Sequence, residues 1–147
     1  EDLSEWFDIN VDSPYMLTVA NINSKKKIKM TNEQKKLFGI DKLNIKRSII
    51  PAVTHVDYSA RIQTVTRNIN NRYYDLISKF KEKTGCPMIV NTSFNVRGEP
   101  IVNTPTDAFN CFMSTELDYL VIGNSILEKL KQDINLKKNY KNSFTLD

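Results

Sequence analysis

The sequence predicts a single α+β domain built around a mixed sheet, and three features carry that reading. One is a helix-period segment, Asn68 to Thr84, stopped by Gly85. Another is a series of short apolar runs of strand length: Tyr15 to Ala20, Met88 to Val90 and Asp118 to Gly123. The last is continuity. No internal repeat and no obvious linker breaks the 147 residues, which suit one domain with a proper core.

Composition narrows the class further. An apolar fraction of 40% and a charged fraction of 26% suit a soluble globular body with polar ends. The net charge of +4 is a mild basic bias that favours anionic ligands and falls short of a nucleic-acid tail. No apolar run approaches membrane-spanning length and no signal peptide opens the chain. Cys86 and Cys111 lie apart without metal-ligand spacing and read as small buried hydrophobes of a reducing, cytoplasmic compartment. With one histidine, His55, neither a structural zinc nor a histidine-rich metal centre is expected. A start at Glu1-Asp2 instead of methionine suggests a piece of a longer protein.

Taken in order, residues 1–13 read as a polar lead-in whose Trp6 and Phe7 dock on the body. A first strand is expected over Tyr15–Ala20, followed by a solvated loop with Lys25, Lys26, Lys27 and Lys29. Thr31 and Gln34 form a capping-box signature, and the short helix they open should end by Gly39. Ile49 to Val56 reads as an edge or bulged strand because of Pro51. A turn at Asp57–Ala60 would lead into a returning strand, Arg61 to Thr66. In that hairpin His55 and Arg61 could share a pocket, although a hydrogen-bonded histidine and a surface arginine suit the pattern better. The long helix shows one apolar face through Tyr73, Leu76, Ile77 and Phe80. Thr104, Pro105 and Asp107 supply a cap, a first-turn proline and an acid at the third position of another helix. Asp118–Gly123 is expected as a core strand, Asn124 onward as a final helix on Leu127, Leu130 and Ile134, and 136–147 as a frayed tail.

The stretch from Met88 to Val102 combines an apolar run, a polar loop, an arginine, a glycine and a return to apolar residues. Asn91, Ser93 and Asn95 offer donors and acceptors, and Arg97 offers a bidentate fork for phosphate or carboxylate. The same residues also suit a plain Asn- and Ser-rich turn, and the pattern alone does not separate the two.

Several blocks together resemble a known family. They are Ile50-Pro51-Ala52-Val53-Thr54-His55-Val56-Asp57, Ala60-Arg61-Ile62-Gln63-Thr64-Val65 and Asn91-Thr92-Ser93-Phe94-Asn95-Val96-Arg97-Gly98-Glu99-Pro100-Ile101. Flanked by Ser13-Pro14-Tyr15-Met16 and Asp118-Tyr119-Leu120-Val121-Ile122-Gly123, they resemble the carboxy-terminal domain of the nodulation and antibiotic O-carbamoyltransferases. The likeness runs from about Glu5 to Gly123 and departs at Asp57-Tyr58-Ser59, where the family often carries Asp-Gly. It implies a YrdC-like twisted mixed β-sheet with packed helices. It also implies conversion of carbamoyl phosphate and ATP to carbamoyl-adenylate, with phosphate and pyrophosphate released. Mg²⁺ would accompany the nucleotide. An Fe- or Zn-type metal would belong only to a separate amino-terminal domain, related to the ASKHA ATPases, that completes the transfer to a hydroxyl.

For that chemistry the expected catalytic residues are His55, Arg61, Ser93, Asn95 and Arg97, with no metal ligands. The nucleotide and carbamoyl contacts would be Arg47, Arg61, Asn91, Ser93, Asn95 and Arg97. The arginines would face charge developing at phosphorus, and the amides and hydroxyl would match a planar carbamoyl group. His55 could hold a phosphate oxygen or shuttle a proton. The partners implied are carbamoyl phosphate, ATP and the amino-terminal transfer domain, with no membrane and no nucleic acid. Two other classes fit the same residues: a non-catalytic nucleotide- or RNA-binding module, and a domain that only stabilises its neighbour.

Overall fold

A computed structural model describes residues 2–137. The chain divides into two compact units, Glu1–Val90 and Asn91–Asp147. Both mix helices with short strands, so the α+β class holds. In place of one mixed sheet, the described residues form two separate two-stranded antiparallel sheets.

The first unit begins with α1 (Leu3–Trp6), which delivers Trp6 and Phe7 into the core. Strand β1 (Thr18–Asn21) pairs antiparallel with β2 (Ser59–Ile62), Ala20 facing Ala60 and Val19 facing Arg61. Ala20, Ile22, Ala60 and Ile62 bury against Trp6, Phe7 and Ile50, with Cys86 and Met88 packed on the edge. Every Ile buried here removes apolar area worth about 1.5–3 kcal/mol. Ser13 extends the pairing, its amide donating to Thr64 Oγ1 and its hydroxyl to the Ile62 carbonyl.

Local signals in this unit are obeyed where they are self-contained. Thr31 and Gln34 close a reciprocal capping box on α2 (Asn32–Lys36). α2 ends ahead of Gly39 as expected, and Gly39, with φ 59°, opens a further short helix, α3 (Gly39–Leu43). Helix α4 runs over Asn71–Thr84, capped by Asn70 and ended by left-handed Gly85. None of its residues is buried; Leu76 and Phe80 remain exposed, so its apolar stripe is not a core face.

The expected strand Ile49–Val56 is absent, and with it the hairpin. Pro51–Val53 is a 3-10 turn with proline at its start. Ser48 and Thr54 bond each other at 2.6 Å, and Thr54 Oγ1 donates to the Ile50 carbonyl. These hydroxyls satisfy the backbone locally, and pairing with a neighbour is limited to an isolated bridge between Ser48 and Lys27. The partner of β2 is therefore β1, from 40 residues earlier, and not the segment beside it.

In the second unit Thr104 and Asp107 form the anticipated capping box on α5 (Pro105–Ser114), with Pro105 in the first turn. Ala108, Phe112 and Met113 bury against Leu120, with Phe94, Val102, Phe109, Ile122 and Leu127 around them. Strand β3 (Tyr119–Ile122) pairs with β4 (Ser125–Glu128) across the two-residue turn Gly123-Asn124. That hairpin replaces the helix expected after Asn124; Gly123 takes the positive φ, 59°, that such a turn needs at its first position. Met88–Val90 and Ile101–Val102 form no strands, and Val90 and Ile101 are exposed. Ile134–Leu136 is a 3-10 turn; the rest of the expected tail, 138–147, lies outside the described residues.

Candidate functional site

In the first unit the candidates sit on the turn that leads into β2. The His55 amide donates to the Ser59 carbonyl and the Tyr58 amide to the His55 carbonyl, closing a tight reversal. Tyr58 stands at its tip with φ 67°, a left-handed conformation that costs a bulky residue roughly 1–2 kcal/mol. Its phenol anchors it from outside the turn, donating to the Ile28 carbonyl and accepting from the Met30 amide.

Inside this reversal lies a connected polar chain. His55 Nδ1 is 2.8 Å from Ser59 Oγ, and Ser59 Oγ donates to Asp57 Oδ1 at 2.7 Å. The Ser59 amide donates to the same Asp57 oxygen at 3.0 Å. The Ser59 hydroxyl and then its amide hold the Asp57 carboxyl below the usual range. Ser59 is buried, whereas His55 and Asp57 are exposed.

Arg61 follows two positions along β2, on the same strand face as Ser59. Its Nε donates to the carbonyl of Met16, another left-handed residue at φ 47°, and its side chain is solvent-exposed. Arg47 has a different fate. It is 4% exposed, and its guanidinium donates to the carbonyls of Lys42, Leu43 and His55. Two of those are end-of-helix carbonyls of α3, so Arg47 caps that helix and ties it to the His55 turn. The lysine loop is likewise partly engaged: Lys26 pairs with Glu5 at 2.7 Å and lies 4.1 Å over the Trp6 ring.

In the second unit, Asn91, Ser93, Asn95 and Arg97 lie on one irregular loop. The Glu99 amide donates to the Val96 carbonyl, closing a β-turn with Arg97 and Gly98 at its centre. Gly98 has φ 83°, the angle a type II turn demands at its third residue. Asn95 is spent on the loop itself, donating to the carbonyls of Val96 and Glu99. The Glu99 carboxylate braces the loop by accepting from the Val96 amide. It also lies beside the buried Cys111 thiol, whose pKa is pushed up to about 11 by burial first and by Glu99 second. Ser93 and Arg97 are exposed. Among the described residues no hydrogen bond or ion pair holds Arg97.

Sequence reasoning named none of Tyr58, Ser59 and Glu99 among the site residues, although they organise these turns. The Asp57-to-Ser59 spacing was a usable signal, since an Asp two residues before a hydroxyl is a common Asx-turn pattern.

Arg97 is displayed on a glycine turn of a small α+β chain, and comparison with known proteins shows the family of that chain. The family model for the carbamoyltransferase C-terminus matches residues 1–129. The chain belongs to that family. It is 55% identical over 132 residues to the uncharacterized protein sll1178 of Synechocystis sp., covering 90% of this chain and 22% of that protein. It is 50% identical over 84 residues to nodulation protein NolNO of Sinorhizobium fredii, covering 57% of this chain and 12% of that one. The 3'-hydroxymethylcephem-O-carbamoyltransferase of Amycolatopsis lactamdurans is 30% identical over 125 residues, 85% of this chain and 20% of that enzyme. The chain thus spans about a fifth or less of the length of these relatives.

Proposed function

We propose that the chain is the carbamoyl-activating part of an ATP-dependent O-carbamoyltransferase, with a YrdC-like fold. It would join the carbamoyl group to AMP, giving carbamoyl-adenylate, while a metal-binding amino-terminal domain passes the group to a hydroxyl acceptor. Family membership and the named activity of the cephem-modifying relative support the carbamoyl chemistry. One structural observation carries the reading: Arg97 stands at the tip of a loop that Asn95 and Glu99 already brace, its fork unspent among the described residues. A loop stabilised without its arginine leaves that arginine for a phosphate, where a bidentate contact also fixes geometry.

Within the first unit, Arg61 is the proposed phosphate contact, keeping Nε on Met16 and the rest of its fork toward solvent. Arg47 is not proposed as a nucleotide contact, since its nitrogens hold main-chain carbonyls. Ser93 and Asn91 are proposed to match the carbamoyl donors and acceptors, with Asn95 shaping the loop. Among the described residues no three His, Cys, Asp or Glu side chains gather where they could hold a metal. Mg²⁺ is proposed to arrive bridging the nucleotide phosphates, as the family resemblance implies.

The test is titration calorimetry with ATP, carbamoyl phosphate and a short RNA, together with an assay of pyrophosphate release. Binding of the two small ligands, and pyrophosphate release from ATP that requires carbamoyl phosphate, are the expected results. Binding of RNA without either ligand would replace this reading with that of a nucleic-acid module.

A further inference from the structure

The Ser59 hydroxyl has a single proton and two close neighbours, Asp57 Oδ1 at 2.7 Å and His55 Nδ1 at 2.8 Å. An ionised carboxylate accepts only, so it takes the Ser59 proton. Were that proton turned to Nδ1 instead, two oxygen lone pairs would face each other across the Asp57 contact. The Ser59 oxygen must therefore accept from His55, and Nδ1 must carry the proton. In a neutral imidazole the other nitrogen, Nε2, then has a bare lone pair. His55 is exposed, and no described residue occupies Nε2.

We infer that Asp57 and Ser59 are positioning residues that lock His55 as the Nδ1–H tautomer, so that Nε2 accepts from the amino end of a carbamoyl ligand. The ligand identity rests on the function proposed above; the lock rests on the hydrogen bonds alone. A lone pair at Nε2 repels a phosphate oxygen and welcomes an N–H donor, which sets this role apart from holding phosphate. Ser59 owes its placement to β2, where it is buried and its carbonyl accepts from the His55 amide. The imidazole is thus held by its own backbone and by its ring nitrogen together.

Two measurements test this. Nitrogen-15 NMR of the imidazole, with His55 assigned from its loss in His55→Gln, reads the tautomer directly. The protein and its Ser59→Thr variant should show a protonated Nδ1 and a bare Nε2, and Ser59→Ala should lose that preference. A protonated Nε2 in the neutral ring, or a preference that survives Ser59→Ala, overturns the lock. Calorimetry with carbamoyl phosphate, acetyl phosphate and inorganic phosphate then reads the ligand. Acetyl phosphate carries a methyl group where carbamoyl phosphate carries the amino group. His55→Ala should weaken carbamoyl phosphate roughly threefold to tenfold, the worth of one neutral hydrogen bond, and leave the other two unchanged. Equal weakening of all three would assign His55 to phosphate and overturn the inference. Failure of the unaltered protein to bind carbamoyl phosphate would overturn the carbamoyl reading and the ligand assigned to Nε2, with the tautomer still readable on its own.

Discussion

Replacing Arg47 by alanine removes a buried cation whose guanidinium donates to three carbonyls, those of Lys42, Leu43 and His55. A hydrogen bond from a charged donor contributes about 1.5–3 kcal/mol, so a simple sum would reach roughly 4.5–9 kcal/mol. Two facts lower it. Leu43 and His55 are exposed residues, so water can replace the arginine at their carbonyls. The arginine also sheds the cost of burying its own charge. A loss of about 3 kcal/mol is therefore expected, equivalent to roughly 6–12 °C in melting temperature for a chain of this size. Arg47→Lys should recover less than half, because one ammonium cannot span three diverging acceptors. Thermal or urea unfolding measures the loss, and calorimetry on the folded variants measures ligand affinity. A variant that melts normally but binds ATP or carbamoyl phosphate more weakly would refute the capping role and return Arg47 to the binding site.

Other expectations follow from the same geometry. Tyr58→Phe should cost about 1–2 kcal/mol in urea unfolding by removing both phenol bonds, and Tyr58→Gly less, because glycine relieves the left-handed backbone; equal losses would show that the backbone is not strained. Arg97→Ala should weaken nucleotide or carbamoyl phosphate binding by about 1.5–3 kcal/mol with an unchanged melting temperature, and lysine should restore only part; a lowered melting temperature with normal affinity would make Arg97 structural. Cys111 keeps its proton to a pKa of about 11 when folded, against an ordinary value of 9.0. The folded state therefore binds more protons between those values, so its contribution is complete below pH 9 and fades as pH rises toward 11. Unfolding scans should show that decline, and show it removed in Cys111→Ala.

Elements legible in the sequence were those whose signals close on themselves. Thr104, Pro105 and Asp107 complete a capping box within four residues, and Gly85 ends α4. Ile49–Val56 was misread because an apolar run offers no sign of its partner. Ser48 and Thr54 diverted its backbone into a 3-10 turn. Ser125–Glu128 was misread for the opposite reason. Gly123 read as the end of a strand, yet its positive φ reverses the chain and lets Ile126 and Leu127 pair back.

The sequence by itself determined the α+β class, the helix caps, the family and the set of polar residues from which a site could be built. These depend on neighbours within a few positions or on ordered blocks along the chain. Only the tertiary structure decided what each polar residue does, because a side chain's role depends on which groups reach it. Arg47, Arg61 and Arg97 are chemically equal in the sequence. Folding buries Arg47 on the end of α3, commits one nitrogen of Arg61 to Met16 and leaves Arg97 at a turn tip that Glu99 already holds. His55 and Ser59 stand four residues apart in the sequence, and folding sets the Ser59 hydroxyl against one nitrogen of the imidazole.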